Sequence, residues 1–555
     1  MLDAAAIETG LSQLHPEQLR NALQSLIPQN SSTEQRISAV EALLESPAGK
    51  SLRGAMARWV VDEIVPVDAL VPESYIKWRS PVRDCMVFVI SRISAARLAP
   101  KLVEQLDLPP RTTAETRLLR LIAKVPGLQK LGQVIARNQH LRPALRNALA
   151  RLENSIRDVR PDEIRGIIER DLGSRLKRYS VKVSRSIMSE ASVSAVARFT
   201  WENPETGARE RGVFKVLKPH IPEYFAEDMD YLQGLAHYFG DRHHTHGFPP
   251  DLIPDTFKKV RRLLQHEVNF QREQKTLAEA WELYRAIPKV RVPKLIQPLC
   301  TSCITALTEE RGVKVTTASA RLPASARKKI AEQLVKALVA IPLFSARENA
   351  IFHGDPHAGN LLYDNRTGVL TIIDWALRER LSRDQRRHLA LLLLMVSLRD
   401  HIGVAEEVSA LSQYPIRSNS RRAEVVRELV ASFISDLPSN RTPSGVDIMK
   451  LLERVAVGGV KFPGSLVMLS KVMFTLDGIL TDVCGADTAM GFAIARQVAQ
   501  HWLTNRSAFR SPLRGGDWIA LQCSALLYPS RMWLRWEEAL LNRFLPTPSR
   551  AAATT

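Results

Sequence analysis

The sequence predicts an α+β protein of two lobes with mainly helical extensions at both ends. Three observations predict it. Residues 1–178 and the chain beyond 382 carry apolar residues at helical spacing, as in RISAVEALLES and PDEIRGIIERDLG. Between them, VSAVARFTW, a polar ENPETGARERG and VFKVLK read as two strands around a turn. Further on, FHGDPHAGNLLYDNRTGVLTIIDWA (352–376) reads as a Gly- and Pro-shaped loop followed by short β runs.

In chain order, residues 1–115 form a helical N-terminal extension that carries no recognisable chemistry. A helical segment, 116–178, follows, and Gly173 is placed to cap its last helix. The strands VSAVARFTW and VFKVLK open the first lobe, 179–312. Helices are expected at 222–285, then strand-like RVPKLIQPL and CITALTEE. The second lobe, 313–400, starts with a helix at 325–349 and continues into the loop, where LLYD and VLTIID flank an Asn-Arg-Thr-Gly turn. Residues 401–545 are expected to be helical, and 546–555 to be a disordered tail.

Composition narrows the function classes. The 555-residue chain is 45% hydrophobic and 24% charged, ordinary for a globular protein. Its net charge of +19 favours anionic partners such as phosphate ligands or an anionic membrane surface. Nucleic acid is not expected, because the arginines are scattered over many helices with no interleaved aromatic platform. Five cysteines do not make a disulfide framework, and the C-x-x-C of Cys300 and Cys303 has no second pair at zinc spacing. RHHTHG (242–247) reads as a solvated loop between helices.

The start, MLDAAAIETG, lacks a basic n-region and an apolar h-region, so a cytoplasmic, non-secreted protein is expected. LALLLLMVSL (389–398) is too short to span a bilayer, so no transmembrane helix is expected. Residues 516–544 carry Trp518, Tyr528, Trp533, Trp536 and Phe544 among leucines and arginines. They read either as an interfacial helix giving peripheral membrane contact or as a helix packed on the core. The sequence leaves the oligomeric state open.

The loop at 352–376 carries the chemistry. Asp355 and Asn360 share a loop, and Asp374 ends the second β run. A tight hairpin brings all three to one strand edge. Hard oxygen ligands converging on a loop suit Mg²⁺, which keeps open positions for phosphates. Asp, then Asn five residues on, then an apolar strand ending in Asp is the arrangement of kinase catalytic and metal motifs. His353 and His357 flank Asp355 and are expected to orient the loop through hydrogen bonds. Phosphoryl transfer also needs a cation, which Lys215 supplies from the middle of an apolar run. Lys218 is its rival, but sits before Pro219, where the strand ends. Glu267 and Glu273, on one expected helix, are the candidate partners of Lys215.

These segments together resemble the UbiB family, the atypical protein-kinase-like proteins with an AarF domain, over roughly residues 120–400. QKLGQ (129–133) resembles the K-x-G-Q signature, with Lys130 and Gln133 in place. MSEASVSAVARF resembles the Ala-rich loop that stands in for the kinase Gly-rich loop, which assigns Ala191, Ser192 and Val193 to nucleotide binding. VFKVLKP resembles the lysine strand, and EVNFQRE the E-x-D-F-x-x-E helix. By the resemblance Glu273 pairs with Lys215, and Glu267 lies with the Lys130 segment near the nucleotide. LTEERG resembles the hinge; HGDPHAGN and IDWA resemble the catalytic loop and the metal motif. The chain departs from the pattern at Asn269, where the family has Asp, at Ser194 and Ala195, and in reading Asp374-Trp375-Ala376 for Asp-Phe-Gly.

The resemblance implies a two-lobed protein-kinase-like fold that binds ATP and Mg²⁺. Asp355 would be the catalytic carboxylate, and Asn360 and Asp374 the metal ligands. It implies an ATPase or kinase linked to isoprenoid-quinone (ubiquinone) lipid metabolism at a membrane surface, with a quinone-precursor lipid as a partner. Two other readings stand beside it. HGDPHAGN…IDW also fits aminoglycoside- or choline-kinase-like phosphotransferases, and the departures fit a catalytically weak, nucleotide-dependent scaffold.

Overall fold

Local signals in the sequence explain where the main elements start and stop. A computed structural model describes residues 31–71, 73–109, 111–123, 125–129, 159–246, 252–417, 420–438, 443–485, 512–514 and 516–517. Lys130, Gln133, the aromatics at 518–544 and the tail at 546–555 lie outside the described residues. The chain groups into two units, Met1–Gln274 with Leu295–Glu309, and Lys275–Lys294 with Glu310–Thr555.

In the first unit, β1 (Lys182–Glu190), β2 (Ser194–Glu202), β3 (Arg209–Leu217) and β5 (Ile304–Thr308) form an antiparallel sheet in the order β1-β2-β3-β5. Three strands therefore stand where the sequence predicted two around a turn. The extra one, β1, has no fully buried residue and bulges against β2, so it carries no clean period-2 signal. β2 alternates as expected, burying Ala195, Ala197, Phe199 and Trp201. Phe199 stacks on Phe214 of β3 with ring centroids 3.8 Å apart. Gly212 is required beneath that stack, because a Cβ there would lie 2.4 Å from the Phe199 ring.

The helix Pro161–Leu172 covers this sheet with Ile164, Ile167, Ile168 and Leu172. Its start has Pro at N1 and Glu163 accepting the Arg160 N–H, and Gly173 ends it at φ +47°. A second core joins the N-terminal helices to the helices His220–Asp241 and Leu252–Val268 through residues such as Val89, Leu98, Leu232 and Leu264. A buried ion pair runs through it: Arg97 reaches Asp228 at 2.7 Å and Glu227 at 3.0 Å. Asp228 also accepts the Gly127 N–H at 2.9 Å. That bond ties down the stretch leading into KLGQ. The RHHTHG stretch is not wholly loop, since His243–His246 form one helical turn.

In the second unit, β8 (Leu361–Asp364) and β9 (Val369–Ile372) form the expected hairpin. Asp364 closes its turn by accepting from Arg366 N–H and the Thr367 hydroxyl, and Gly368 takes φ +70°. β4 (Val290–Arg291) pairs parallel with β9, and β6 (Val313–Lys314) antiparallel with β8, giving the order β4-β9-β8-β6. β7 (Asn349–His353) and β10 (Arg378–Ser382) form a separate antiparallel pair. The helix expected to run to 349 ends near Phe344, after Ala324–Val335, a π turn Lys336–Ala340 and Ile341–Leu343. Its last five residues are instead the approach to β7 and the first residue of that strand, Asn349.

Ser382 and Gln385 form a capping box for the helix Arg383–Leu398, which buries Leu389, Leu391, Leu392 and Val396. No helix among the described residues is long and apolar enough to cross a membrane. The helix Gly464–Cys484 packs on Val315–Ser319, Ala324–Val335 and Gly445–Val457.

Arg386, wholly buried, donates to the carbonyls of Leu343, Ser345, Arg347 and Glu348. It thereby orders the chain that feeds β7. Without it those carbonyls lose a charged donor in a dry site. Arg386→Met is expected to cost about 3 kcal/mol, read as a melting-temperature fall of several degrees. An unchanged melt would show that the carbonyls find other donors.

Candidate functional site

Two groups of residues carry the candidate chemistry, one in each unit. In the first unit, Lys215 stands on β3, between β2 and β5, opposite Val196 and Thr305. Its neighbours Phe214 and Val216 face the core, so alternation turns Lys215 to the other face. There its ammonium lies 2.6 Å from Glu273 Oε1, with side chains 14% and 5% exposed. It also sits 5.6 Å from the centre of the Phe270 ring. A cation this enclosed on an apolar strand is tolerable because it is paired.

Glu267 and Glu273 do not share one helix, as the sequence reading had it. The helix Leu252–Val268 stops and Phe270–Tyr284 starts, with Asn269 between them. Asn269 accepts the Arg272 N–H at 2.9 Å through its side chain, and its carbonyl accepts the Glu273 N–H. It is an N-cap, a place where Asn and Asp serve about equally. The departure from Asp thus keeps the feature that aims the helix. Glu273 leaves its first turn towards Lys215. Glu267, in the last turn of the preceding helix, accepts from the Ser192 hydroxyl at 3.5 Å.

Ala191, Ser192 and Val193 form the short connection from β1 to β2. Ala191 N–H donates to Ser194 carbonyl, and Val193 carbonyl accepts from Lys218 N–H. Lys218 is fully buried and 3.4 Å from Glu190. The structure therefore gives the two lysines different settings, with Lys218 closing the loop base. Sequence reading did not single out Glu190.

In the second unit, β7 delivers His353 and the loop after it. His353 is 1% exposed, and burial pushes its imidazole below the usual histidine range. Its partners fix the tautomer. Nδ1 accepts the Asp355 N–H at 3.2 Å, so Nε2 carries the proton and donates to the carbonyls of Ile373 at 3.1 Å and Asp374 at 2.9 Å. One neutral ring thus joins the backbone of the Asp355 loop to that of the Asp374 motif. His357 Nδ1 accepts the Gly359 N–H at 3.1 Å, so it shapes the loop.

Asn360 donates from its side-chain nitrogen to the Asp355 carbonyl at 3.1 Å, and its own carbonyl accepts the Ile373 N–H. The loop and hairpin thus tie the backbone at Asp355 to Asn360, and Asn360 to the residue before Asp374. Asp374 sits at φ +57°, while Ala376 is not in the left-handed region. The backbone demand of this motif therefore falls on Asp374, and Asp is among the residues that tolerate it. Trp375 is wholly buried, donates to the Ile372 carbonyl at 3.2 Å and meets the His353 ring edge-on at 4.9 Å.

Sequence reading missed one residue here. Lys471, on the helix Gly464–Cys484, reaches Asp355 Oδ1 at 3.0 Å. No local pattern marks it, since 116 residues separate the two.

The donor set fits Mg²⁺. Among the described residues no group of three or more His, Cys, Asp or Glu forms a protein cage for a metal. One amide oxygen and one or two carboxylates suit an ion that takes its remaining ligands from water and phosphate. Among the cysteines, burial pushes the Cys300 thiol up to about 11, away from the reactive thiolate form.

Residues 151–408 match the family described as "ABC1 atypical kinase-like domain". The chain is 22% identical over 362 residues to a probable protein kinase UbiB of Marinobacter nauticus, covering 64% of each chain. It is 22% identical to the probable protein kinase UbiB of Azotobacter vinelandii, over 67% of this chain and 69% of that one. It is 23% identical to the chloroplastic protein "ACTIVITY OF BC1 COMPLEX KINASE 7" of Arabidopsis thaliana, over 64% of this chain and 50% of that one.

Two predictions follow from this geometry. Asn269→Asp should leave stability unchanged, whereas Asn269→Ala should cost about 1 kcal/mol in a thermal melt. A buried neutral His353 makes the unfolded chain the better proton binder below its ordinary pKa of about 6.5. Stability of the metal-free protein should therefore fall as pH drops below that value. His353→Gln, which keeps a donor and an acceptor, should flatten the fall; an identical pH slope would contradict the neutral tautomer.

Proposed function

We propose, from the premise that this chain is a UbiB-family atypical kinase-like protein, that it binds Mg²⁺–ATP and releases or transfers the terminal phosphoryl group. The observation that carries the reading is the Lys215–Glu273 pair at 2.6 Å on an inner strand of the four-stranded sheet. A lysine is costly at such a position, and a kinase uses it to hold nucleotide phosphates while a helical glutamate orients it. Ala191, Ser192 and Val193 cover the nucleotide in this reading, and Glu267 steadies them through Ser192.

Asn360 and Asp374 are the proposed Mg²⁺ ligands, through amide and carboxylate oxygen. The ion neutralises charge on the phosphates when bound. Asp355 accepts the proton of the attacking hydroxyl or water. His353 keeps the Asp355 and Asp374 backbones in register and stays neutral while doing so.

The setting we propose is isoprenoid-quinone lipid metabolism, including ubiquinone biosynthesis, at an anionic membrane surface. Family membership supports the first part, and the net charge of +19 supports the second. A cytoplasmic protein with peripheral membrane contact fits this reading. A second reading, a small-molecule phosphotransferase, is favoured by the His-Gly-Asp…Ile-Asp-Trp sequence and differs only in its acceptor.

The test is Mg²⁺–ATP binding and phosphate release, with and without anionic liposomes. Asp374→Asn keeps a residue that tolerates positive φ, so it removes the charge with little cost to the backbone. It should abolish Mg²⁺-dependent binding, and Lys215→Ala should weaken binding by about 10-fold. Release that rises with liposomes supports the membrane setting. An Asp374→Asn protein that binds Mg²⁺–ATP as well as the parent would overturn the metal assignment.

A further inference from the structure

We propose that Lys471 is the positioning residue of the Asp355 carboxylate, a part of the phosphoryl-transfer machinery supplied from outside the catalytic loop. The proposal rests on the Mg²⁺–ATP reading above and deepens it. Its starting point is a gap in the loop itself. His353 to Asn360 reads HGDPHAGN and contains no lysine or arginine. The loop's own side chains hold Asp355 by its backbone: His353 takes the N–H and Asn360 donates to the C=O. These two bonds fix where the main chain goes. Lys471 meets that carboxylate at Oδ1, 3.0 Å away.

The helix Gly464–Cys484 is built to hold Lys471 there. Leu469, Val472, Met473 and Leu476 are buried, so the residues flanking Lys471 lock the helix's rotation and height. Lys471 leaves the edge of that buried face with its side chain 33% exposed, against 20% for Asp355. A partly enclosed pair is less screened than a surface one, so the charge is felt at the carboxylate.

The chemistry calls for such a group. A carboxylate that accepts a proton must be aimed at the hydroxyl it takes it from. A lysine against Oδ1 holds the plane of the carboxylate for the incoming hydroxyl. Nothing in the transfer requires the cation to come from the same loop. A helix well downstream in the chain can carry it, provided its core packing sets the position to within a fraction of an ångström.

The experiment is steady-state phosphate release from Mg²⁺–ATP by the full chain and by Lys471→Met, Lys471→Arg, Asp355→Asn and the Asp355→Asn/Lys471→Met double variant. Lys471→Met should lower kcat by about 10- to 100-fold and move KM for ATP by less than about 3-fold, the pattern of an interaction made in the transition state. Lys471→Arg should recover most of that loss. In the Asp355→Asn background, Lys471→Met should cause no further fall, because Lys471 works through that carboxylate. A merely structural lysine would instead shift the melting temperature of Lys471→Met and leave kcat of the folded fraction unchanged, which overturns the proposal. Losses that multiply in the double variant also overturn it, since Lys471 would then act on the phosphates directly. A parent that binds Mg²⁺–ATP but releases no phosphate leaves the nucleotide reading standing and overturns the role of Lys471. A parent that does not bind Mg²⁺–ATP overturns the reading beneath both.

Discussion

The second unit's site depends on one buried imidazole. His353 accepts from the backbone after the β7 strand and donates to the backbone before Trp375. It can do both only in the neutral form with the proton on Nε2. Burial enforces that form, because the water a charged ring would lose outweighs the attraction of the nearby Asp374 and Asp355 carboxylates. The residues around it serve the same constraint. Gly354 leaves little room for a Cβ, which would lie 3.0 Å from Leu377 Cγ and 3.1 Å from the Leu377 carbonyl oxygen. Trp375 packs its ring against the imidazole edge, and Arg386 orders the chain that leads into β7.

The departures from the family pattern take a physical meaning once their places are known. Asn269 replaces an acid, yet its job is to cap a helix, and an amide oxygen accepts the same N–H. Ala376 replaces a glycine, yet the left-handed residue of the motif is Asp374. Trp375 replaces a smaller aromatic and fills its site completely, with its indole nitrogen satisfied by the Ile372 carbonyl. None of the three removes a group that the proposed chemistry uses.

Much of this was legible in the sequence for identifiable reasons. β2 and the β8–β9 hairpin alternate cleanly or turn on an Asp-to-Gly loop, so period and turn chemistry sufficed. Lys215 stood out over Lys218 because a proline ends the run beyond Lys218. Other features depend on contacts that a linear reading does not contain. β1 buries no residue fully and bulges, so its pattern is blurred. The break at Asn269 is hidden because both sides are strongly helical and the cap carries no glycine or proline. Lys471 meets Asp355 only through the packing of a distant helix. The Lys218–Glu190 pair likewise joins the end of one strand to the residue after another.

The proposed function depends on Mg²⁺-dependent binding of ATP, with Asn360 and Asp374 as the proposed oxygen ligands. Calorimetric titration of the full chain with ATP, once with excess Mg²⁺ and once with a chelator, tests it most directly. Binding of one nucleotide per chain that weakens by about 10-fold or more when Mg²⁺ is withdrawn is the predicted result. Binding of equal strength with and without Mg²⁺, or no binding in either condition, would contradict the account.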